Sequence, residues 1–320
     1  MKESIVQLIH LNYPVEEHIT PSKVVLALGF FDGVHKGHKR LLQMAKEVAE
    51  KKNLPLMVMT FDRHPSEVYA GKKDFAYIDD LDEKADKMAH AGVDYLAVIK
   101  FTEAFSKISG QEFVDNVIVK LNADTVVAGF DYTYGPKDVA NMEHLPAFSK
   151  GRFDIVTVPK QTMDGQKIGS TEIRKAIADG KMELVYELLG HHYVMSGTIG
   201  HGKRNGHKLG YPTANLVWNN KKAIPKIGVY ATRTWVDGKW YDSMTSVGYN
   251  VTIGDSQQIF IESNLFDFDK DVYGQKMTIK WYKYTRGEVK FNSFAELKDQ
   301  LAKDKTEIEN YFAKLELEEK

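Results

Sequence analysis

Two histidines, His35 and His38, close the run Gly29-Phe-Phe-Asp-Gly-Val-His-Lys-Gly-His38, which also holds Phe30, Asp32, Gly33 and Gly37. Imidazoles can donate hydrogen bonds to anions, and glycines let a backbone turn sharply and approach a ligand closely. The pattern suits the phosphates of a nucleotide. It is not the P-loop, which needs Gly-Lys-Ser/Thr after its glycines. Such residues need a rigid platform. Val24–Leu28, just upstream, is an unbroken apolar run, as expected of a parallel strand covered on both faces. Downstream, from about His38 to Lys51, Leu41, Leu42, Met44, Ala45 and Val48 recur at helical spacing. Strand, turn and helix bring the histidines to a helix N-terminus, where free N–H groups and the dipole favour anions.

The next elements repeat that arrangement. Leu54–Phe61, Val93–Ile99, Asp124–Phe130 and Phe153–Val158 read as strands, and Leu81–Ala91 and Gly110–Leu121 as helices, the latter with Ser109 as N-cap. Strands alternating with helices predict a parallel sheet with helices on both faces, whose ligands bind outside the carboxyl ends of the strands. Three further segments fall there: Phe61–Pro65 with His64, Gly129–Gly135 with Asp131 and Tyr132, and Gly169–Arg174 with Ser170 and Thr171.

The pattern changes after the helical stretch Met182–Leu189. From Val194 the sequence alternates and is broken often by glycine. Strands are predicted at about Gly228–Trp235, Lys239–Tyr249, Gln258–Leu265 and Lys276–Tyr284, with a hairpin turn at Val236–Lys239. Short strands with few helices predict a small antiparallel barrel. A last helix over about Ser293–Lys314 has Leu297, Leu301, Ile308 and Phe312 on one stripe. The boundary is placed near residue 185, giving domains 1–185 and 186–320.

Composition excludes several classes. The chain has 320 residues, more than one core usually takes, so two domains are expected. A net charge of −1 implies no broad basic field and no nucleic-acid partner. The absence of cysteine excludes disulfides and thiolate metal sites. No apolar run reaches the length of a membrane span and no signal-peptide core is present, so the chain reads as cytoplasmic and without a membrane partner.

The turn around His35 and His38 resembles the HxGH signature of the nucleotidylyltransferases. In its full length it is similar to the adenylyltransferase half of the bacterial bifunctional riboflavin kinase/FAD synthetases, and Phe61–Pro65, Gly129–Gly135 and Gly169–Arg174 resemble that family's later motifs. The resemblance implies a Rossmann-like nucleotidylyltransferase domain that transfers AMP from ATP to FMN. Gly29, Phe30, Asp32, Gly33, His35, His38, Ser170, Thr171 and Arg174 would bind ATP, with His35, His38 and Arg174 catalytic, and His64, Asp131 and Tyr132 would face the flavin. Tyr132 and Tyr134 stand where phenylalanine is usual, and Gly169 replaces the first serine of the last motif.

Gly206-His-Lys-Leu-Gly-Tyr-Pro-Thr-Ala-Asn215 resembles the signature of the family's riboflavin kinase half. Pro225–Tyr230, Asp267–Gly274 and Arg286–Phe291 match further segments of it. The resemblance implies ATP contacts from Gly206, Lys208, Pro212, Thr213 and Asn215. It further implies magnesium on Thr213 and Asn215, Arg286 at the flavin, and Glu262 as catalytic base. By spacing alone Glu262 reads as a surface carboxylate on a strand. His207, Val251 and Asn264 replace the usual arginine, proline and histidine. Substrates would be riboflavin, FMN, FAD and ATP. The alternative that keeps the fold is an FAD synthetase whose barrel is a weak or inactive kinase acting as a flavin-binding module. A flavin sensor without turnover, and transfer to another phosphate acceptor, are further alternatives.

Overall fold

The computed structural model describes residues 5–318 except 17–18, 21, 70, 72–74, 161, 164–165, 202–210, 220 and 252–256. The chain divides into two compact units, residues 1–170 and 171–320.

The first unit is built on six parallel strands: β1 (Gln7–Leu11), β2 (Val24–Leu28), β3 (Leu56–Phe61), β4 (Tyr95–Ile99), β5 (Ala123–Gly129) and β6 (Asp154–Val158). Their order in the sheet is β1-β4-β3-β2-β5-β6. From β2 the chain adds β3 and then β4 on one side, and crosses to add β5 and β6 on the other. The order therefore reverses between β2 and β5, the place where such sheets open a ligand crevice. Every residue of β2 and β3 is buried, which explains their unbroken apolar sequence. Leu26, Leu28, Met57 and Met59 pack on one face against Phe105, Phe113 and Val117. Val25, Ala27 and Val58 pack on the other against Leu41, Leu42 and Ala45 of α1 (Lys36–Lys52).

The shorter helices are α2 (Pro65–Tyr69), α3 (Leu81–His90), α4 (Glu103–Ser106), α5 (Gly110–Phe113) and α6 (Leu145–Ser149). Ser109 caps α5 with a full capping box, and α5 runs on into a π-helical turn over Val114–Ile118. Helix α1 starts at Lys36, earlier than the apolar stripe indicates, because His35 caps it. Strand β1 lies upstream of Val24–Leu28, the first strand that the sequence predicts. It is an edge strand with half-exposed side chains and no clean alternation. A two-stranded ribbon, β7 (Thr162–Met163) and β8 (Gln166–Lys167), precedes α7 (Ser170–Ala178).

The second unit contains α8 (Met182–Leu189) and a closed six-stranded barrel ordered β10-β13-β12-β11-β14-β9. Its strands are β9 (Val194–Gly200), β10 (Ala214–Val217), β11 (Gly228–Val236), β12 (Lys239–Val251), β13 (Gln257–Leu265) and β14 (Lys276–Arg286). All described pairings are antiparallel. Asp237 and Gly238 between β11 and β12 both have positive φ, 50° and 83°, which matches the twist of a two-residue hairpin. The final helix, α9 (Phe294–Glu318), lays Ile308 and Phe312 on the outer face of the barrel against Val229, Ala231, Met244 and Tyr282.

The barrel interior is partly polar. Thr232, Thr234, Ser243, Thr245 and Ser263 are all fully buried. Their hydroxyls bond to one another across β11, β12 and β13 at 2.7–3.1 Å.

Candidate active sites

A pocket of about 440 Å³ opens at the carboxyl edge of the parallel sheet, beyond the ends of β2, β3, β5 and β6. Its lining brings together Gly29, Phe30, His35, His38, His64, Asp131, Tyr132 and Ser170 from four separate stretches of sequence. The strand-end rule explains the convergence, since each stretch directly follows a strand or opens a helix.

The polar side is built around the start of α1. His35 is the N-cap, and its Nδ1 accepts the His38 backbone N–H at 3.2 Å. That acceptance leaves Nε2 to carry the proton, so the neutral ring presents a donor away from its own helix. The His35 and His38 rings stack, with centroids 3.6 Å apart. Gly37 sits under this stack, where a Cβ would approach the His35 ring to 3.1 Å. Ser170 opens α7 and donates through Oγ to the carbonyl of Asp32 at 3.1 Å. Thr171 and Arg174 follow Ser170 on α7, within the second unit.

The aromatic side begins at Phe30. Its ring meets His64 edge-on at 4.9 Å, and His64 stacks on Phe75 at 4.1 Å. Ser66 holds the His64 ring through Nδ1, at 2.7 Å from Oγ and 3.2 Å from its N–H. Desolvation pushes the Tyr132 phenol up from its ordinary pKa. Phe130, 45% exposed and part of the Gly129–Gly135 motif, and Lys160, which lies outside the motifs, also line the pocket. Lys160 lies two residues past the end of β6, the one of the four strand ends at the pocket that no motif marked.

Two predicted residues of the turn shape it instead of lining the pocket. The Asp32 carboxylate is buried and accepts the backbone N–H groups of Ile78 and Asp79 at 3.0 and 3.2 Å. Gly33 adopts φ 81°, which only glycine takes readily. Tyr134 does not line the pocket either. It stacks on Phe113 at 5.5 Å in the core, burial pushes its phenol up to about 12, and its buried hydroxyl has no hydrogen-bond partner among the described residues.

The barrel carries a second constellation. Asn215 on β10 lies directly opposite Glu262 on β13, and Glu262 lies opposite Ser246 on β12. Ile261 and Ser263 point into the barrel, so alternation puts Glu262 and its cross-strand partners Asn215 and Ser246 on the outer face. Thr213 and Pro212 line a cavity of about 740 Å³ with Ile199, Ala214, Leu265 and the Phe268–Tyr273 loop. That cavity includes neither Asn215 nor Glu262. Asn264, which replaces the family's histidine, donates to the Pro212 carbonyl at 2.7 Å and so fixes the residue before Thr213. Gly206, His207 and Lys208 lie outside the described residues, as do the side chains of Asn250 and Val251.

Arg286, which resemblance places at the flavin, is held by α9. Its guanidinium grips Asp304 of α9, with Nε at 2.9 and 3.0 Å from the two carboxylate oxygens and Nη2 at 2.7 Å from Oδ2. Asp304 is 2% exposed, so the pair pins α9 to the end of β14.

The first unit thus has the nucleotidylyltransferase architecture, with its histidine turn at the switch point of a parallel sheet, and the second is a closed barrel with a carboxylate–amide pair on its outer face. Residues 17–172 match the family model of FAD synthetase, and residues 189–312 that of riboflavin kinase. A bifunctional riboflavin kinase/FMN adenylyltransferase of Listeria monocytogenes is 45% identical, with 96% of this chain and 99% of that protein covered. The protein of the same description from Bacillus subtilis is 41% identical, covering 96% and 98%. A solved structure described as a macrolide-efflux protein from Streptococcus pneumoniae is 36% identical and superimposes with a TM-score of 0.87, covering 94% of this chain and 99% of that one. Among the described residues no helix is long and apolar enough to cross a membrane. The chain belongs to the bifunctional riboflavin kinase/FMN adenylyltransferase family.

Proposed function

We infer that the chain makes FMN and FAD in succession: riboflavin is phosphorylated on the barrel, and FMN is adenylylated at the sheet edge. The observation that carries this reading is the single pocket in which His35, His38 and Ser170 stand with Phe30, His64, Asp131 and Tyr132. A polar side and an aromatic side suit substrates that pair phosphates with flat rings.

In the adenylylation, an oxygen of the FMN phosphate attacks the α-phosphorus of ATP. The bond from that phosphorus to the α–β bridging oxygen breaks, and pyrophosphate leaves. The attacking oxygen is already anionic, so no strong base is required, and rate comes from positioning and from stabilising charge on the phosphoryl oxygens. His35 offers Nε2–H, His38 and the N-terminus of α1 add donors, and the Ser170 hydroxyl joins them by turning from the Asp32 carbonyl. Motif resemblance assigns Thr171 and Arg174 to the same triphosphate. In the kinase reaction the riboflavin 5′-hydroxyl oxygen attacks the γ-phosphorus, Glu262 accepts the hydroxyl proton, and ADP leaves. Gly206, Lys208, Pro212, Thr213 and Asn215 are assigned to ATP there. We place the division between the activities near residue 185, which the extents of the two family models support.

Magnesium is the proposed metal. Thr213 and Asn215 offer hard but neutral oxygens, and among the described residues no three His, Cys, Asp or Glu side chains gather to hold an ion. That donor set fits a magnesium ion whose ligands come chiefly from ATP phosphates and water. When bound, the ion would neutralise charge on the phosphoryl oxygens. Dependence on ATP supports a cytoplasmic location.

The test is a product assay with purified protein, ATP and magnesium, started in parallel from riboflavin and from FMN. FAD from both starting points is expected. FAD from FMN alone would reduce the barrel to a flavin-binding module, and no product from either would overturn the reading.

A further inference from the structure

The carbonyl oxygen of Phe30 accepts two hydrogen bonds, from Thr60 Oγ1 at 2.9 Å and from Lys84 Nζ at 2.8 Å. Thr60 is fully buried on β3, and Lys84 on α3 is 3% exposed. The Lys84 ammonium also lies 4.3 Å from the centre of the Phe30 ring. Burying an ammonium is costly unless it is paired. Burial draws the Lys84 pKa down, and the Asp32 and Asp79 carboxylates oppose that pull. Yet the ammonium gives its hydrogen bond to a backbone carbonyl of the pocket turn, while Asp79 is bonded by Lys87 and Asp32 accepts the N–H groups of Ile78 and Asp79.

The turn needs such restraint. Phe31 and Val34 hold φ of 55° and 38°, in the left-handed region that residues with side chains avoid, a β-branched one above all. Released from its anchors, the turn could relax toward ordinary dihedrals and carry Phe30 with it. The Phe30 ring packs edge-on against His64, and both line the pocket.

We propose that Lys84, together with Thr60, is a positioning residue for FMN adenylylation: it fixes the Phe30 carbonyl and thereby the aromatic side of the pocket. The proposal rests on the reading of the first unit as the adenylyltransferase. Lys84 does not line the pocket. It acts through Phe30.

The experiment compares the full chain with Lys84→Met, Thr60→Val and the double variant. Steady-state adenylylation of FMN, phosphorylation of riboflavin and thermal unfolding are measured on each. Lys84→Met should lower kcat/KM for FMN about tenfold, chiefly through KM, while riboflavin phosphorylation stays within about twofold. Thr60→Val keeps shape and charge and should lower kcat/KM about threefold. The double variant should lose more than the product of the single losses, because the carbonyl then has neither donor. Should Lys84→Met fail to fold, Thr60→Val decides. Unchanged kcat/KM and KM in folded Thr60→Val protein would overturn the proposal. An unmodified chain that makes no FAD would instead overturn the functional reading beneath it.

Discussion

At the parallel sheet, residues from Gly29 to Ser170 meet in one pocket because strands that run the same way end on the same edge. The barrel assembles its constellation by register instead. Asn215 and Glu262 face each other because Ala214 pairs with Ser263 one step away, and Thr213, two residues along the chain, lines a cavity that contains neither. The interiors differ in the same sense. The buried hydroxyls of the barrel satisfy one another, whereas in the first unit the Tyr134 hydroxyl is buried in an apolar cluster without a partner among the described residues. A parallel sheet thus tolerates change in its core as long as strand ends stay fixed. A barrel couples its core, through alternation, to the face that carries Asn215 and Glu262.

The largest expected effects separate the two sites. His38→Ala should reduce FAD formation from FMN by about a hundredfold or more, the scale of losing a donor to a charged transition state, and leave FMN formation from riboflavin intact. Glu262→Ala should do the reverse, lowering FMN formation by about a hundredfold or more while added FMN is still converted. Either substitution stopping both reactions in folded protein would erase the comparison.

Stability changes come next. Arg286→Ala leaves Asp304 buried without its guanidinium and should destabilise the second unit by about 3 kcal/mol in denaturant unfolding. If the riboflavin KM rises while unfolding is unaffected, Arg286 belongs to the flavin site after all. His192 packs between Tyr186 and Tyr282, and burial together with Lys280 and Arg233 lowers its pKa from 6.5 to about 4, against the opposing bond to the Trp281 carbonyl. The unfolded chain therefore binds the proton first. This contribution is complete above the unfolded pKa and falls as pH drops from 6.5 towards 4, by roughly 3 kcal/mol in all. His192→Phe should flatten the pH dependence of unfolding over that window. The smallest effect is expected of Tyr134→Phe, which removes a buried hydroxyl with no partner among the described residues and should stabilise the first unit by about 1 kcal/mol, with the KM for FMN unchanged.

Much of the fold is legible in the sequence because its strands are extreme in composition. The apolar run Val24–Leu28 appears as the strand over the same residues, and the Ser109 cap stands where its spacing predicts. Strand β1 is not legible, since an edge strand buries too little of Gln7–Leu11 to leave a pattern. The pocket residues are recognised by their motifs, but the sequence cannot say which of them face a ligand. Asp32 stands in the phosphate-type motif, and the sequence gives no sign that its carboxylate accepts the N–H groups of Ile78 and Asp79. Arg286 stands in a flavin-type motif, and the sequence gives no sign that Asp304 holds its guanidinium. Lys84 carries no local mark at all, because a lysine on an amphipathic helix reads as solvent-facing. In each case the deciding partner is distant in sequence.

The hydroxyl strip within the barrel also checks strand alignment during folding. Sliding β12 by one residue against β11 would turn Ser243 and Thr245 outward and bring Asp242 or Met244 to face Thr232. A carboxylate there would be a charge buried in a dry interior, and a thioether would leave the Thr232 hydroxyl without a strong partner, while Thr232 and Thr234 would both lose the Ser243 hydroxyl. An interior of valines would reject the same slip through shape alone, and less decisively.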